Sequence, residues 1–201
     1  MPSDPMKGRV RALARPVGVA LARIGVSANA VTLAGFAFAA ASGLLLAHGS
    51  RIGGLVFLIL GSLADLFDGA VARAHGGTGT PFGAALDSTL DRYAEALILT
   101  GILISGIERG EPALFVWLFA LALTGSFLTS YVRARAEGLG MRCEVGLLER
   151  PERLVLLGIA CLLGPRSDVW VLGALALGSH ITFLQRLALV RREARRGSAP
   201  R

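Results

Sequence analysis

Four aspartates carry the chemistry that this sequence offers. Asp65 and Asp68 are three residues apart, and Asp87 and Asp91 are four apart. On helices those spacings put each pair on one face. The surrounding stretches are apolar enough to read as membrane spans, and an aspartate near the centre of a span costs about 2.5–3.5 kcal/mol on insertion scales. Four with nothing to compensate them would cost on the order of 10 kcal/mol. Four inward-facing carboxylates from two adjacent helices form an oxygen-rich site for a hard divalent cation, Mg²⁺ or Mn²⁺. A purely structural pairing with Arg73 and Arg92 competes with this, but two guanidiniums cannot neutralise four carboxylates.

The residues between the aspartates narrow the chemistry. Gly69 and Ala72 remove side-chain bulk beside Asp65 and Asp68, so a ligand can approach the helix backbone. Arg73 ends that stretch with a fixed positive charge suited to phosphate. His75 to Thr80 (HGGTGT) reads as a flexible loop, and Gly83 repeats the small-residue device one turn before Asp87. Metal, arginine and glycine together suit a pyrophosphate. A carboxylate left partly clear of metal would take a proton from an attacking hydroxyl. These features point to phosphoryl or phosphatidyl transfer at the cytoplasmic face of a membrane.

The rest of the chain must hold that site in lipid. The 201 residues are 53% hydrophobic and only 17% charged, which is too apolar for an ordinary soluble domain. Disordered chains, disulfide scaffolds and most water-soluble enzymes are thereby excluded. Uncharged runs and their flanks predict six spans at about 28–48, 52–74, 83–106, 112–136, 151–165 and 168–190, the fifth one short. The whole chain reads as a single all-α, six-transmembrane-helix domain. Of the 21 basic residues, 17 fall on one side of this layout and Arg51, Arg109 and Arg166 on the other, with Arg92 inside span three. The positive-inside rule then puts both termini and the aspartates on the cytoplasmic side of the cell membrane.

Residues 5–25 read as an amphipathic juxtamembrane segment on the anionic inner leaflet, broken by Pro16 and Gly18, or as a topology signal alone. The basic tail at 191–201 is expected to be disordered. The first apolar stretch is too long for a signal-peptide core and is expected to be a retained span. The net charge of +7 reflects this asymmetry and not a nucleic-acid surface. Cys143 and Cys161 lack metal-ligand spacing and read as inert thiols. His180 reads as a packing residue, Trp170 as an interface anchor, and Gly35, Ala39 and Gly43 as sites of close helix packing.

With the motif laid out, the chain resembles a known family. Asp65-Leu-Phe-Asp68-Gly69-Ala-Val-Ala72-Arg73, nine further residues, then Gly83-Ala-Ala-Leu-Asp87-Ser-Thr-Leu-Asp91 is similar to the signature of the CDP-alcohol phosphotransferases. Eight defined positions over 27 residues make the match specific. The resemblance implies an all-helical homodimer that uses Mg²⁺, with Mn²⁺ possible and two ions expected. It implies Asp65, Asp68, Asp87 and Asp91 as metal ligands, with Asp91 also the general base. It further implies that Thr32, Asp68, Gly69, Ala72, Arg73 and Gly83 hold the CDP donor. Ser27-Ala28 stands where the family usually has a Thr-Pro or similar pair at the start of span one.

Three segments speak to the acceptor. Ser130 to Glu137 (SYVRARAE), Glu149 to Arg153 (ERPER) and Gln185-Arg186-Leu187 resemble parts of actinobacterial phosphatidylinositol-phosphate synthases. That resemblance implies that Ser130, Arg133, Arg153 and Arg186 bind inositol 1-phosphate, and that CDP-diacylglycerol is the donor. Arg133 occupies a position where lysine is common. Three arginines at inner span ends suit a phosphorylated acceptor and are excessive for free inositol; as bare residues they fit the positive-inside rule equally. Glu149 and Glu152, at the start of the fifth span with Pro151, are expected to order the arginines. Alternatives are another acceptor such as glycerol 3-phosphate, or an archaeal-type ether-lipid donor. More remote is a divalent-cation transporter, which would spread its acidic residues through the membrane depth.

Overall fold

The computed structural model describes residues 5–75 and 79–197. Gly76–Thr78 of the expected loop and residues 198–201 of the basic tail lie outside them, as do the side chains of Lys7, Arg9, Arg11 and Arg196. Among the described residues the chain is helical with no strand: α1 (Pro5–Arg23), α2 (Ala28–Ala47), α3 (Arg51–Ala74), α4 (Pro81–Glu108), α5 (Ala113–Gly138), α6 (Arg150–Leu163) and α7 (Asp168–Gly197). Polar residues set the boundaries. The Ser27 hydroxyl accepts the Ala30 N–H at 3.2 Å and caps α2. Thr80 does the same for α4, accepting from the Gly83 N–H at 3.0 Å, with Pro81 in the first helical position. Gly164 ends α6 at φ +85°, a conformation that side-chain-bearing residues rarely adopt.

Helices α2, α3, α5 and α7 are long and apolar enough to cross a membrane. At 28 residues α4 has the length, but it holds Asp87, Asp91, Arg92 and Glu95. With 14 residues α6 is about 21 Å long, short of a hydrocarbon core of about 30 Å. Two expectations about the ends are corrected. Residues 191–197, expected to be disordered, continue α7, because arginine is a good helix former and needs no apolar surroundings. Pro16 and Gly18 do not break α1, which runs through both.

Side chains are sorted as a bilayer sorts them. Ser42, Ser126, Thr129, Ser179 and Thr182 are buried, whereas Trp117, Leu163, Trp170 and Leu177 are each at least two-thirds exposed. Polar groups turned inward and large apolar groups turned outward define a protein whose solvent is lipid. This is a membrane protein.

The chain forms two compact units, the first ending at Gly101 and the second starting at Ile102. In the first, α3 packs against both α1 and α2. A Cβ on Gly35 would lie 3.0 Å from that of Ala64, and one on Gly43 would lie 2.5 Å from the Leu97 carbonyl oxygen. Both glycines therefore allow the close helix approach expected of them. Gly18 of α1 meets Ala70 of α3 in the same way, and Leu21 and Val26 pack onto a core of Val31, Ala64 and Val71. A buried hydrogen bond of 2.7 Å from Ser42 Oγ to the Gly54 carbonyl ties α2 to α3.

In the second unit α5 packs on α7, and Thr129 Oγ1 donates to the Ser179 carbonyl at 2.9 Å. His180 is half-buried and its Nδ1–H bonds the Ala176 carbonyl at 2.8 Å, the packing role expected of it. Both cysteines are buried; burial pushes the Cys143 thiol above its usual pKa, against the opposing pull of the Arg186 and Arg133 charges. Such a thiol stays protonated and unreactive at neutral pH.

One ion pair anchors the far end of this unit. Arg109 donates to Asp168 at 2.9 Å and to Ser105 Oγ at 2.6 Å, and the Asp168 side chain is fully buried at the start of α7. Removing the arginine takes a charge-assisted hydrogen bond from that buried carboxylate. Arg109→Ala is therefore expected to destabilise the fold by about 2 kcal/mol, read as a lower melting temperature in detergent, with Arg109→Lys recovering part of the loss. An unchanged melting temperature would show that the pair contributes nothing.

Candidate active site

The aspartates come from α3 and the start of α4, both in the first unit. One carboxylate oxygen from each of Asp65, Asp87 and Asp91 lies within 4.8 Å of the other two, and all three residues are half-buried. Oxygens bound around Mg²⁺ at about 2.1 Å are about 3 Å apart when adjacent and about 4 Å apart when opposite. The triad needs little movement to close on such an ion, and its all-oxygen donor set suits a hard cation. Among the described residues this is the cluster of acidic side chains able to hold a metal.

Asp68 is placed differently. It is 8% exposed, and its Oδ2 accepts a 2.7 Å hydrogen bond from the Thr32 hydroxyl of α2. The sequence put Asp65 and Asp68 together as one pair; in the fold Asp65 joins the two aspartates of α4, and Asp68 meets Thr32. No spacing rule relates residues 32 and 68, but both stood among the donor-binding candidates, and the structure joins them.

The other residues expected to bind the donor lie on the same two helices, α3 and α4. The Arg73 guanidinium lies back over Gly69, where a Cβ would come within 3.2 Å of Nη1. Gly79, at φ +84°, reaches Ala72. A Cβ on Gly83 would lie 3.0 Å from Asn29 Oδ1, so the first turns of α2 and α4 meet there. Asn29 was not singled out from the sequence, although it lies between Ser27-Ala28 and Thr32. Tyr93, which had no assigned role, stacks on Phe36 with ring centroids 5.4 Å apart.

The expected acceptor residues all belong to the second unit. Arg153 and Arg186 are 2% and 3% exposed, an unusual burial for arginine. Arg153 Nη1 donates to the Leu148 carbonyl at 3.4 Å. Arg186 donates to the Val145 carbonyl at 2.7 Å, the Thr129 carbonyl at 2.9 Å and Glu149 at 3.3 Å. Arg133 pairs with Glu137 one turn on, at 2.9 Å, and is more exposed. Ser130 is half-buried on α5, next to Thr129. The charges of Arg133 and Arg153 are both felt at Arg186, together with that of Glu149. Glu149 thus orders an arginine, as its position at the start of α6 suggested.

An all-helical membrane protein with a carboxylate triad fit for a divalent metal, an arginine-glycine stretch on one of the same helices and two buried arginines in its second unit has the parts of a metal-dependent transferase of phospholipid synthesis. Comparison with known proteins makes this specific. Residues 25–189 match the CDP-alcohol phosphatidyltransferase family, and the chain belongs to that family. It is 40% identical over 172 residues to the archaetidylinositol phosphate synthase of Methanothermobacter thermautotrophicus, covering 84% of this chain and 85% of that one. It is also 40% identical over 191 residues to the phosphatidylinositol phosphate synthase of Mycolicibacterium smegmatis, covering 89% and 84%.

The fold matches the crystal structure of the Mycobacterium tuberculosis phosphatidylinositol phosphate synthase with CDP-DAG bound. The TM-score is 0.81 at 33% identity, covering 89% of this chain and 94% of that one. The same relative with manganese and citrate matches with a TM-score of 0.79 at 34% identity, covering 89% and 88%. The protein is an enzyme of phospholipid biosynthesis, and its family works with divalent metal ions.

Proposed function

We propose that the protein transfers a phosphatidyl group from CDP-diacylglycerol to inositol 1-phosphate, releasing CMP and forming phosphatidylinositol phosphate. The observation that carries the chemistry is the convergence of Asp65, Asp87 and Asp91 within the family motif. The acceptor rests on the arginines: Arg153 and Arg186 are buried and both bond the segment before α6, and Arg186 also bonds the Thr129 carbonyl next to Ser130. Buried guanidiniums suit an anionic ligand such as a phosphate. Bacterial and archaeal relatives named as inositol-phosphate lipid synthases support the same acceptor.

Asp65, Asp68, Asp87 and Asp91 would hold the divalent ions, Asp68 from the Thr32 side. The bound ions supply neutralisation of the pyrophosphate charge and of the charge that develops on the leaving CMP. Gly69, Ala72, Arg73 and Gly83 leave room for the cytidine diphosphate and give it one fixed cation. Ser130, Arg133, Arg153 and Arg186 hold the acceptor's phosphate. Asp91 takes the hydroxyl proton as that oxygen bonds to the lipid-linked phosphorus. The bond from that phosphorus to the CMP oxygen breaks, and CMP departs.

We further propose six membrane segments in the cell membrane, with the aspartates and both termini at the cytoplasmic face, α1 as an interfacial helix and a homodimeric assembly; the excess of basic residues on that side supports the orientation. Exposed Leu13 and Val17 on α1 suit contact with lipid.

The test is CMP release by the detergent-purified protein given CDP-diacylglycerol, with inositol 1-phosphate, glycerol 3-phosphate and free inositol in separate reactions. Release is expected only with inositol 1-phosphate; EDTA should abolish it, and Mg²⁺ or Mn²⁺ should restore it. Release with glycerol 3-phosphate instead would keep the family and discard the acceptor. The likeness to an archaetidylinositol phosphate synthase makes the ether-lipid donor the competing substrate. A faster reaction with that donor would reassign the lipid and leave the site unchanged.

A further inference from the structure

The segment between α5 and α6, residues 139–149, is not helical, yet its second half is held tightly. Thr182, Gln185 and Arg186 lie at i, i+3 and i+4 on α7 and therefore share one face. Each takes a backbone group of this segment. Thr182 Oγ1 accepts the Leu148 N–H at 2.9 Å, Gln185 Oε1 accepts the Leu147 N–H at 3.1 Å, and Arg186 Nε donates to the Val145 carbonyl at 2.7 Å. Two glycines permit the fit. A Cβ on Gly146 would stand 2.5 Å from Thr182 Cγ2, and one on Gly178 would collide with the Leu148 side chain.

Leu148 is the pivot. Its N–H goes to Thr182, and its carbonyl receives Arg153 Nη1. Thr182 is fully buried and its hydroxyl also donates to the Gly178 carbonyl at 2.9 Å, so both hydrogen-bonding roles of that oxygen are used. One contact of the Arg153 guanidinium, the Leu148 carbonyl, is thus held by a residue that carries no charge and lies 29 places further along the chain.

We propose that Thr182, supported by Gln185, is a positioning residue for acceptor recognition: it fixes the 145–149 segment on α7 and thereby sets the Arg153 guanidinium where the acceptor's phosphate binds. This rests on the acceptor role assigned to Arg153 above. Thr182 touches no substrate itself. Its effect therefore falls on acceptor affinity and not on the chemical step.

The experiment compares steady-state kinetics of wild type, Thr182→Val, Thr182→Ser and Ser42→Ala. Valine keeps the shape and removes the hydroxyl. It is expected to raise the acceptor KM about tenfold, the scale of one lost hydrogen bond between buried groups. Donor KM and kcat should stay within about twofold on the same reasoning. Serine restores the hydroxyl and should return the acceptor KM to near wild type. Ser42→Ala deletes a comparable buried hydrogen bond elsewhere and should leave the acceptor KM unchanged.

An unchanged acceptor KM in Thr182→Val would overturn the proposal, and so would equal changes in both Michaelis constants. If the wild type uses glycerol 3-phosphate in place of inositol 1-phosphate, the proposed acceptor is wrong. The same KM comparison with that ester then still decides the role of Thr182. Turnover with free inositol alone would overturn both.

Discussion

Asp91→Asn is expected to abolish turnover while leaving CDP-diacylglycerol binding largely intact. Loss of a general base alone lowers a rate by about 10²–10⁴-fold. Asp91 also sits in the triad with Asp65 and Asp87, so the substitution removes a ligand charge as well. The two effects separate on metal titration. If Asp91 were only a ligand, the asparagine carbonyl would still offer one oxygen, and raising Mg²⁺ would recover the rate. A base cannot be replaced in that way, because an amide takes no proton at neutral pH. The expected result is near-zero turnover at every Mg²⁺ concentration, beside Asp87→Asn, whose defect should ease as Mg²⁺ rises. Near-normal turnover in Asp91→Asn would remove it from the base role.

That experiment was legible from the sequence because helix spacing is local. Asp87 and Asp91 share a face wherever their helix lies, and α4 delivers both to Asp65. Element positions were legible for a similar reason: apolar runs mark the membrane, and the observed helices begin and end within a few residues of the expected spans through α6. The C-terminal end of α7 was missed because an apolar run reports where lipid ends, and a helix of arginines can continue into water. Gly18 looked like a break in α1 and is instead its contact with Ala70, a fact that depends on a partner 52 residues away. The bond from Thr32 to Asp68 and the grip of Thr182 on Leu148 are of the same kind. Neither has a period. A threonine within an apolar helix reads as a small packing residue until the backbone it serves is in place.

Arg153→Ala is expected to raise the acceptor KM by about 100-fold, with donor KM changed by less than about threefold. The magnitude follows from the nature of the bond: a buried guanidinium facing a phosphate makes charge-assisted hydrogen bonds, each about 1.5–3 kcal/mol. Arg153 is 2% exposed, so water cannot substitute for the missing group, as it would for the more exposed Arg133. Arg133→Ala should accordingly cost less, about tenfold. Burial also makes Arg153 a structural element through the Leu148 carbonyl, and its loss will lower the melting temperature. Arg153→Lys distinguishes the roles. Lysine keeps the charge without the planar fork, so it should recover part of the acceptor affinity while failing to restore the full set of bonds. If alanine raised both Michaelis constants equally, Arg153 would hold the fold and not the acceptor, and the positioning role of Thr182 would lose its object as well.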